Sequence, residues 1–209
     1  MRLFLACWWF GLFIFLPLAL EAATIAIPGD VETFQAALDR AEAGDTILVA
    51  DGEYAGDANT QLIVDLPLVI MSENGPDDCV INCADNNANF ALELQATVEV
   101  RGFTVTGAVI GIHGRQSNDL IIAECNIQEG SQMGLLLETC LDFVVQNCEF
   151  IEIIRNEVEQ GAGMRLDASS GLIDNCSFTD NSTLGSGAGL HIDQHRGKHG
   201  LPLFQGNIA

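Results

Sequence analysis

The chain has 209 residues, enough for one domain plus a targeting segment, and 48% of them are apolar, ample for a core. Acidic residues outnumber basic ones 29 to 8, giving a net charge of −21. Such a surface repels phosphate backbones and anionic membranes, which excludes nucleic-acid binding and leaves cation binding or plain solubility as the meaning of the charge.

Residues 1–22 read as a signal peptide. Arg2 supplies the positive end, an apolar run follows from Leu3 to Leu20 with Trp8, Trp9, Phe10, Phe13 and Phe15, and the small residues Ala22 and Ala23 offer a cleavage site. The rival reading is an uncleaved anchor, because the run sits at the lower edge of a membrane span. Cleavage after Ala22 makes the product exported, either secreted or at the cell surface. The rest of the chain holds no further long apolar stretch, so no membrane span is expected after cleavage.

Residues 23–209 read as one repetitive domain. A short helix is predicted over about residues 31–41, where Val31, Phe34, Ala37, Leu38 and Ala41 fall at helical spacing, with Asp30 as its cap and Gly44 as its stop. The strand Thr46–Val49 and a turn at Asp51-Gly52 begin the coils, which run over about 46–209. Glycine-led segments then recur: Gly111-Ile112-His113-Gly114-Arg115, Gly134-Leu135-Leu136-Leu137-Glu138, Gly163-Met164-Arg165-Leu166-Asp167 and Gly189-Leu190-His191-Ile192-Asp193. Asn89-Phe90-Ala91-Leu92-Glu93 fits the same frame, and each segment alternates in the manner of a strand with one buried face.

A second marker follows each segment: apolar-x-apolar, two turn residues, then Cys or Phe, x, apolar. Its copies are Val98-Val100-Phe103-Val105, Leu120-Ile122-Cys125-Ile127, Phe143-Val145-Cys148-Phe150 and Gly171-Ile173-Cys176-Phe178. Three short strands per repeat cannot bury their apolar faces alone, but stacked repeats can. The expected fold is therefore all-β, a solenoid of three parallel sheets, with the helix capping its first edge. The last residues, Phe204 to Ala209, look like the middle of another coil, so the fold is expected to be incomplete at the C-terminus and to continue beyond Ala209.

Six cysteines remain after signal cleavage: Cys79, Cys83, Cys125, Cys140, Cys148 and Cys176. Export permits disulfides. The recurrence of Cys125, Cys148 and Cys176 at one core position, filled by Phe103 one coil earlier, favours packed thiols instead. There is no CxxC pair and no histidine at zinc-ligand spacing.

Ile27-Pro28-Gly29-Asp30, Phe34-Gln35-Ala36-Ala37-Leu38, Ala43-Gly44-Asp45-Thr46-Ile47-Leu48-Val49 and Asp51-Gly52-Glu53-Tyr54 together resemble the opening of pectin-lyase-like right-handed parallel β-helix proteins. Phe178-Thr179-Asp180-Asn181 and Phe204-Gln205-Gly206-Asn207, paired with Gly187-Ala188-Gly189-Leu190, resemble the repeats of polymorphic outer-membrane proteins. The resemblance implies a right-handed β-helix. It also implies two function classes: an exported or surface-displayed module binding glycans or proteins through its outer flank, or a polysaccharide lyase or hydrolase acting on acidic polysaccharide. Neither the calcium-binding aspartates with an arginine base nor the grouped aspartates of the catalytic relatives stand intact here.

The outward positions of the glycine-led strands supply the candidate site. One predicted row is Ala91, His113, Leu136, Arg165 and His191. The other is Glu93, Arg115, Glu138, Asp167 and Asp193, with neighbours ~4.8 Å apart. Glu138, Arg165, Asp167, His191 and Asp193 are the candidate ligand-binding residues. Arg165, His191, Asp167 and Asp193 are the catalytic candidates within them. Glu138, Asp167 and Asp193 stack three carboxylates that suit Ca²⁺, the one cofactor the sequence suggests. The alternative is an ordinary solvated face with the arginines balancing the carboxylates. The segment Ile154 to Gln160 lengthens one coil and can wall this patch. A basic loop from Asp193 to His199, with His195, Arg196, Lys198 and His199, offers a contact for an acidic sugar or simply a solvated turn.

Overall fold

The computed structural model describes residues 22–84, 88–156, 158, 160–193 and 203–205. The predicted signal, apart from Ala22, and the basic loop Asp193 to His199, apart from Asp193, lie outside these residues. The described chain is a parallel solenoid of three main sheets. The first holds Thr24–Ile27, Thr46–Val49, Leu68–Ser72, Val98–Arg101, Ile121–Ala123, Leu141–Gln146, Ser170–Asp174 and Leu203–Gln205. The second holds Gly52–Ala55, Cys79–Asn82, Thr104–Thr106, Asn126–Gln128, Glu149–Ile151 and Ser177–Thr179. The third holds Leu62–Val64, Phe90–Leu94, Ile110–Arg115, Met133–Glu138, Met164–Asp167 and Leu190–Asp193.

Like residues stack on like between successive coils of each sheet. In the first sheet Ile25, Ile47, Ile70, Val100, Ile122, Val145 and Ile173 form one in-register buried column. In the second, Tyr54, Ile81, Val105, Ile127 and Phe150 do the same, partly buried Phe178 continues the column, and the rings of Phe150 and Phe178 stack 5.0 Å apart. Each such side chain contributes about 1.5–3 kcal/mol of burial before entropy. The bend between the first and second sheets places its second residue at positive φ in successive coils: Gly102 at 78°, Glu124 at 54°, Asn147 at 53° and Asn175 at 48°. Asn175 Nδ2 also donates to Asn147 Oδ1 at 2.8 Å, tying neighbouring bends together.

The recurring glycine has a steric cause. A Cβ on Gly111, Gly134 or Gly163 would lie 2.5, 2.6 or 2.5 Å from the carbonyl oxygen of Gly134, Gly163 or Gly189 in the next coil. The Phe178/Asn181 pair is equally mechanical. Phe178 packs over Gly163 and Gly189, while Asn181 accepts from the Ile153 amide at 3.1 Å and donates to the Phe150 carbonyl at 2.8 Å. These contacts tie one coil to the one before it.

The helix is shorter than its sequence pattern suggests. It spans Phe34–Arg40, and its cap is Thr33, whose Oγ1 accepts from the Ala36 amide at 3.2 Å. Asp30 accepts instead from the Ala26 amide at 3.0 Å, holding the turn before the helix. Phe34 and Ala37 close the first coil from above, and Phe34 meets Tyr54 and Phe103 edge-on at 5.4 and 6.1 Å. No helix among the described residues is long and apolar enough to cross a membrane.

All six cysteines beyond Cys7 are buried and unbridged. The Cys148 thiol donates to the Gln146 carbonyl at 3.3 Å and the Cys176 thiol to the Asp174 carbonyl at 3.4 Å. Burial pushes the Cys79 and Cys83 thiols up to about 12, far from the thiolate form that oxidation needs. Because all six are buried and unbridged, six alkylatable thiols are expected in the denatured mature protein and slow labelling in the native one. A quantitative Cys125–Cys148 or Cys148–Cys176 linkage in peptide mapping contradicts this.

Candidate functional site on the third sheet

The outward rows of the third sheet set the site. One row runs Glu93, His113, Leu136, Arg165, His191, and the other runs Arg115, Glu138, Asp167, Asp193. The sequence frame is correct for four strands and wrong for Phe90–Leu94. There, Glu93 pairs with His113, not with Arg115, and Ala91 is not the neighbour of His113. The slip is two residues. An even slip keeps Leu92 and Leu94 inward, so the apolar alternation cannot detect it. The signal that does detect it is size: the true register leaves Ala91 opposite Gly111, making Ala91 the small residue of that coil.

The corrected register assembles a cluster that spacing alone did not reveal. His113 sits between two carboxylates, with Nε2 2.8 Å from Glu138 Oε2 and Nδ1 3.6 Å from Glu93 Oε2. Arg115 bridges the same pair, with Nη1 3.7 Å from Glu93 Oε1 and Nε 3.6 Å from Glu138 Oε2. Glu93 and His113 are only 7% and 8% exposed, whereas the side chains of Glu138 and Arg115 are 41% and 52% exposed. Gln95 Nε2 donates to Glu93 Oε1 at 2.5 Å. Beside the cluster lies a cleft of about 270 Å³ lined by Gln95, Arg115 and Gln116. The buried carboxylate and imidazole are thus fixed, while the outer carboxylate and guanidinium face solvent.

The second half of the face holds the other predicted residues. Arg165 Nε donates to both carboxylate oxygens of Asp167, two residues along its own strand, at 2.9 and 3.0 Å. His191 and Asp193 stand in register beside Arg165 and Asp167. Leu136, almost fully buried, separates His113 from Arg165, so the face divides into two polar patches with Glu138 at the boundary. Glu138 leans toward His113, and Asp167 is held by Arg165. The three-carboxylate column Glu138, Asp167 and Asp193 exists as a register, but among the described residues no group of three or more His, Cys, Asp or Glu gathers as a metal centre. A calcium ion there would have to compete with His113 and Arg165 for its oxygens.

The lengthened coil is anchored close by. Ile154–Arg155 pairs in parallel with Ser182–Thr183 in a small fourth sheet. Arg155, 3% exposed, donates through Nη1 to the Gln160 and Gly161 carbonyls at 3.3 and 3.5 Å, clamping the base of the loop. Gly161, at φ 76°, abuts Arg165 and His191, so the loop's return does border the second patch.

The stacked parallel coils and their inward columns define a β-solenoid, and residues 69–201 match the sequence profile of a right-handed β-helix region. The chain belongs to that family. Among solved structures it is similar to an alginate lyase from Paenibacillus (TM-score 0.55, 17% identity, 80% of this chain and 69% of that one). It is also similar to a pectin methylesterase variant in complex with a hexasaccharide (TM-score 0.53, 14% identity, 78% and 67%) and to pectin methylesterase PemA from Erwinia chrysanthemi (TM-score 0.50, 14% identity, 78% and 67%). No curated protein sequence matches the chain. At such identities these structures share the fold with it.

Proposed function

We propose that the protein is an exported polysaccharide-binding β-helix module that lays a glycan along the outward face of its third sheet. The observation that carries this reading is the pair of outward rows on that face, from Glu93 to Asp193, polar at every position but Leu136 and bearing side chains of both signs at rungs of ~4.8 Å. An extended sugar chain lying across successive rungs meets polar groups on either side of Leu136. The likeness to an alginate lyase and to a pectin methylesterase seen with a hexasaccharide supports the ligand class. The apolar N-terminal segment with Arg2 and Ala22 supports export to where such polymers occur.

Affinity electrophoresis in gels containing soluble polysaccharides tests the reading. Retardation of the wild type in at least one gel is expected, with less retardation for an Asp167→Ala, Asp193→Ala double variant. Equal mobility of the wild type in every gel contradicts glycan binding and leaves a protein partner as the occupant of the flank.

A catalytic reading has one observation in its favour: the imidazole of His113 held between a buried and an exposed carboxylate, an arrangement that can move a proton. New reducing ends or unsaturated products on incubation with a retained polysaccharide, lost in His113→Gln, would support it. Retention without any product leaves the module a binder.

A further inference from the structure

The glycan-binding reading leaves open which sugars the face accepts, and the first patch speaks to that. Arg115 is the half-exposed cation beside the cleft, but it is flanked by Glu93 and Glu138 and both separations, 3.7 and 3.6 Å, exceed hydrogen-bond length. The charge of the guanidinium is therefore balanced locally while its N–H donors stay unsatisfied by these carboxylates. A ligand hydroxyl can take such donors at little electrostatic cost. A ligand carboxylate can take them only by approaching two existing carboxylates against one guanidinium, and like-charge juxtaposition costs several-fold in affinity or more. Glu138 is hydrogen-bonded through Oε2 to His113, lies beside Arg115, and is exposed enough to accept from a hydroxyl. Gln95 and Gln116 place amide groups at the rim of the same cleft. Buried Glu93 and His113 serve as the fixed floor that orients Glu138 and Arg115.

We propose that Glu93, His113, Arg115 and Glu138, with Gln95 and Gln116 at the rim, form a subsite for an uncharged, hydroxyl-rich sugar residue, so that the module discriminates against uronate polymers. This rests on the glycan-binding reading and differs from the pectin- and alginate-related names of its structural neighbours.

Titration calorimetry of the full chain with cellohexaose, mannohexaose, xylohexaose and maltohexaose, and with hexagalacturonate, tests it at low and high salt. At least one uncharged hexasaccharide is expected to bind about tenfold or more tighter than hexagalacturonate, with little salt dependence. Arg115→Ala is expected to weaken the uncharged ligand about tenfold, the loss of a hydrogen bond from a charged donor. Arg101→Ala removes the same charge from the first sheet, where Arg101 pairs with Glu99 and Glu124, and is expected to leave affinity unchanged. Glu138→Gln, an exposed and nearly isosteric change, is expected to weaken the uncharged ligand and strengthen hexagalacturonate. Tighter binding of hexagalacturonate at low salt, abolished by Arg115→Ala, overturns the subsite's selectivity. Binding of an uncharged ligand that Arg115→Ala leaves intact overturns the subsite but not the glycan reading. Absence of binding by all five probes overturns both.

Discussion

Phe34→Ala is expected to destabilise the fold by about 3–5 kcal/mol, read as a fall in the denaturation midpoint without a change in slope. Phe34 is fully buried where the helix Phe34–Arg40 covers the first coil, and its ring meets both Tyr54 and Phe103. Truncation opens a cavity between the cap and the coils that carry Tyr54 and Phe103, and the stack below closes it only in part. The same truncation exposes the edge of the first sheets, which have unpaired backbone groups to offer a second chain. Self-association that grows with concentration should therefore accompany the loss. A loss under about 1 kcal/mol would show that the helix is a peripheral ornament and that the coils are stable without it.

Gly134→Val is the second large effect. A Cβ at this position would lie 2.6 Å from the Gly163 carbonyl oxygen and 2.6 and 2.9 Å from Ile153 and Phe150. The side chains can shift, but the carbonyl belongs to the parallel ladder of the next coil, where Leu135 donates to it at 3.0 Å. Overpacking commonly costs about 1–3 kcal/mol, and a backbone clash inside a stack belongs at or beyond the upper end. Gly130→Ala makes the comparison, since its Cβ would meet the Ala108 oxygen at an ordinary 3.4 Å. Thermal melts of the two variants should differ by several degrees. Equal melts would mean that the coils part at Gly134 at little cost and that crowding does not explain the recurring glycine.

The contrast between these two sites shows what was legible in the chain. Inward columns recur because stacked like residues bury one another, so Ile122, Val145 and Ile173 announce their own register through fixed spacing. The glycines announce theirs through the crowding just described. The candidate site was legible where those markers are present: Arg115, Glu138, Asp167 and Asp193 were placed in one row by counting from Gly111, Gly134, Gly163 and Gly189, and they stand there. It failed where Ala91 replaces the glycine, because a two-residue slip leaves every apolar side chain inward. That slip hid the pairing of Glu93 with His113. Nor does spacing reveal side-chain rotamers, so the turning of Glu138 toward His113 and of Arg165 onto Asp167, which breaks up the carboxylate column, appears only in three dimensions. The cap residue was misplaced for a similar reason: Asp30 and Thr33 are both good N-caps by type, and only the path of the turn decides between them.

The most direct test of a glycan laid along the third sheet is to locate one. A photoreactive derivative of whichever hexasaccharide binds in calorimetry can be cross-linked to the saturated protein and its attachment mapped by peptide mass spectrometry. Labels concentrated in peptides that contain Ile110–Arg115, Met133–Glu138 and Met164–Asp167, and suppressed by excess unlabelled sugar, are the expected result. Suppressible labels confined to strands of the first or second sheet would contradict the placement of the binding face.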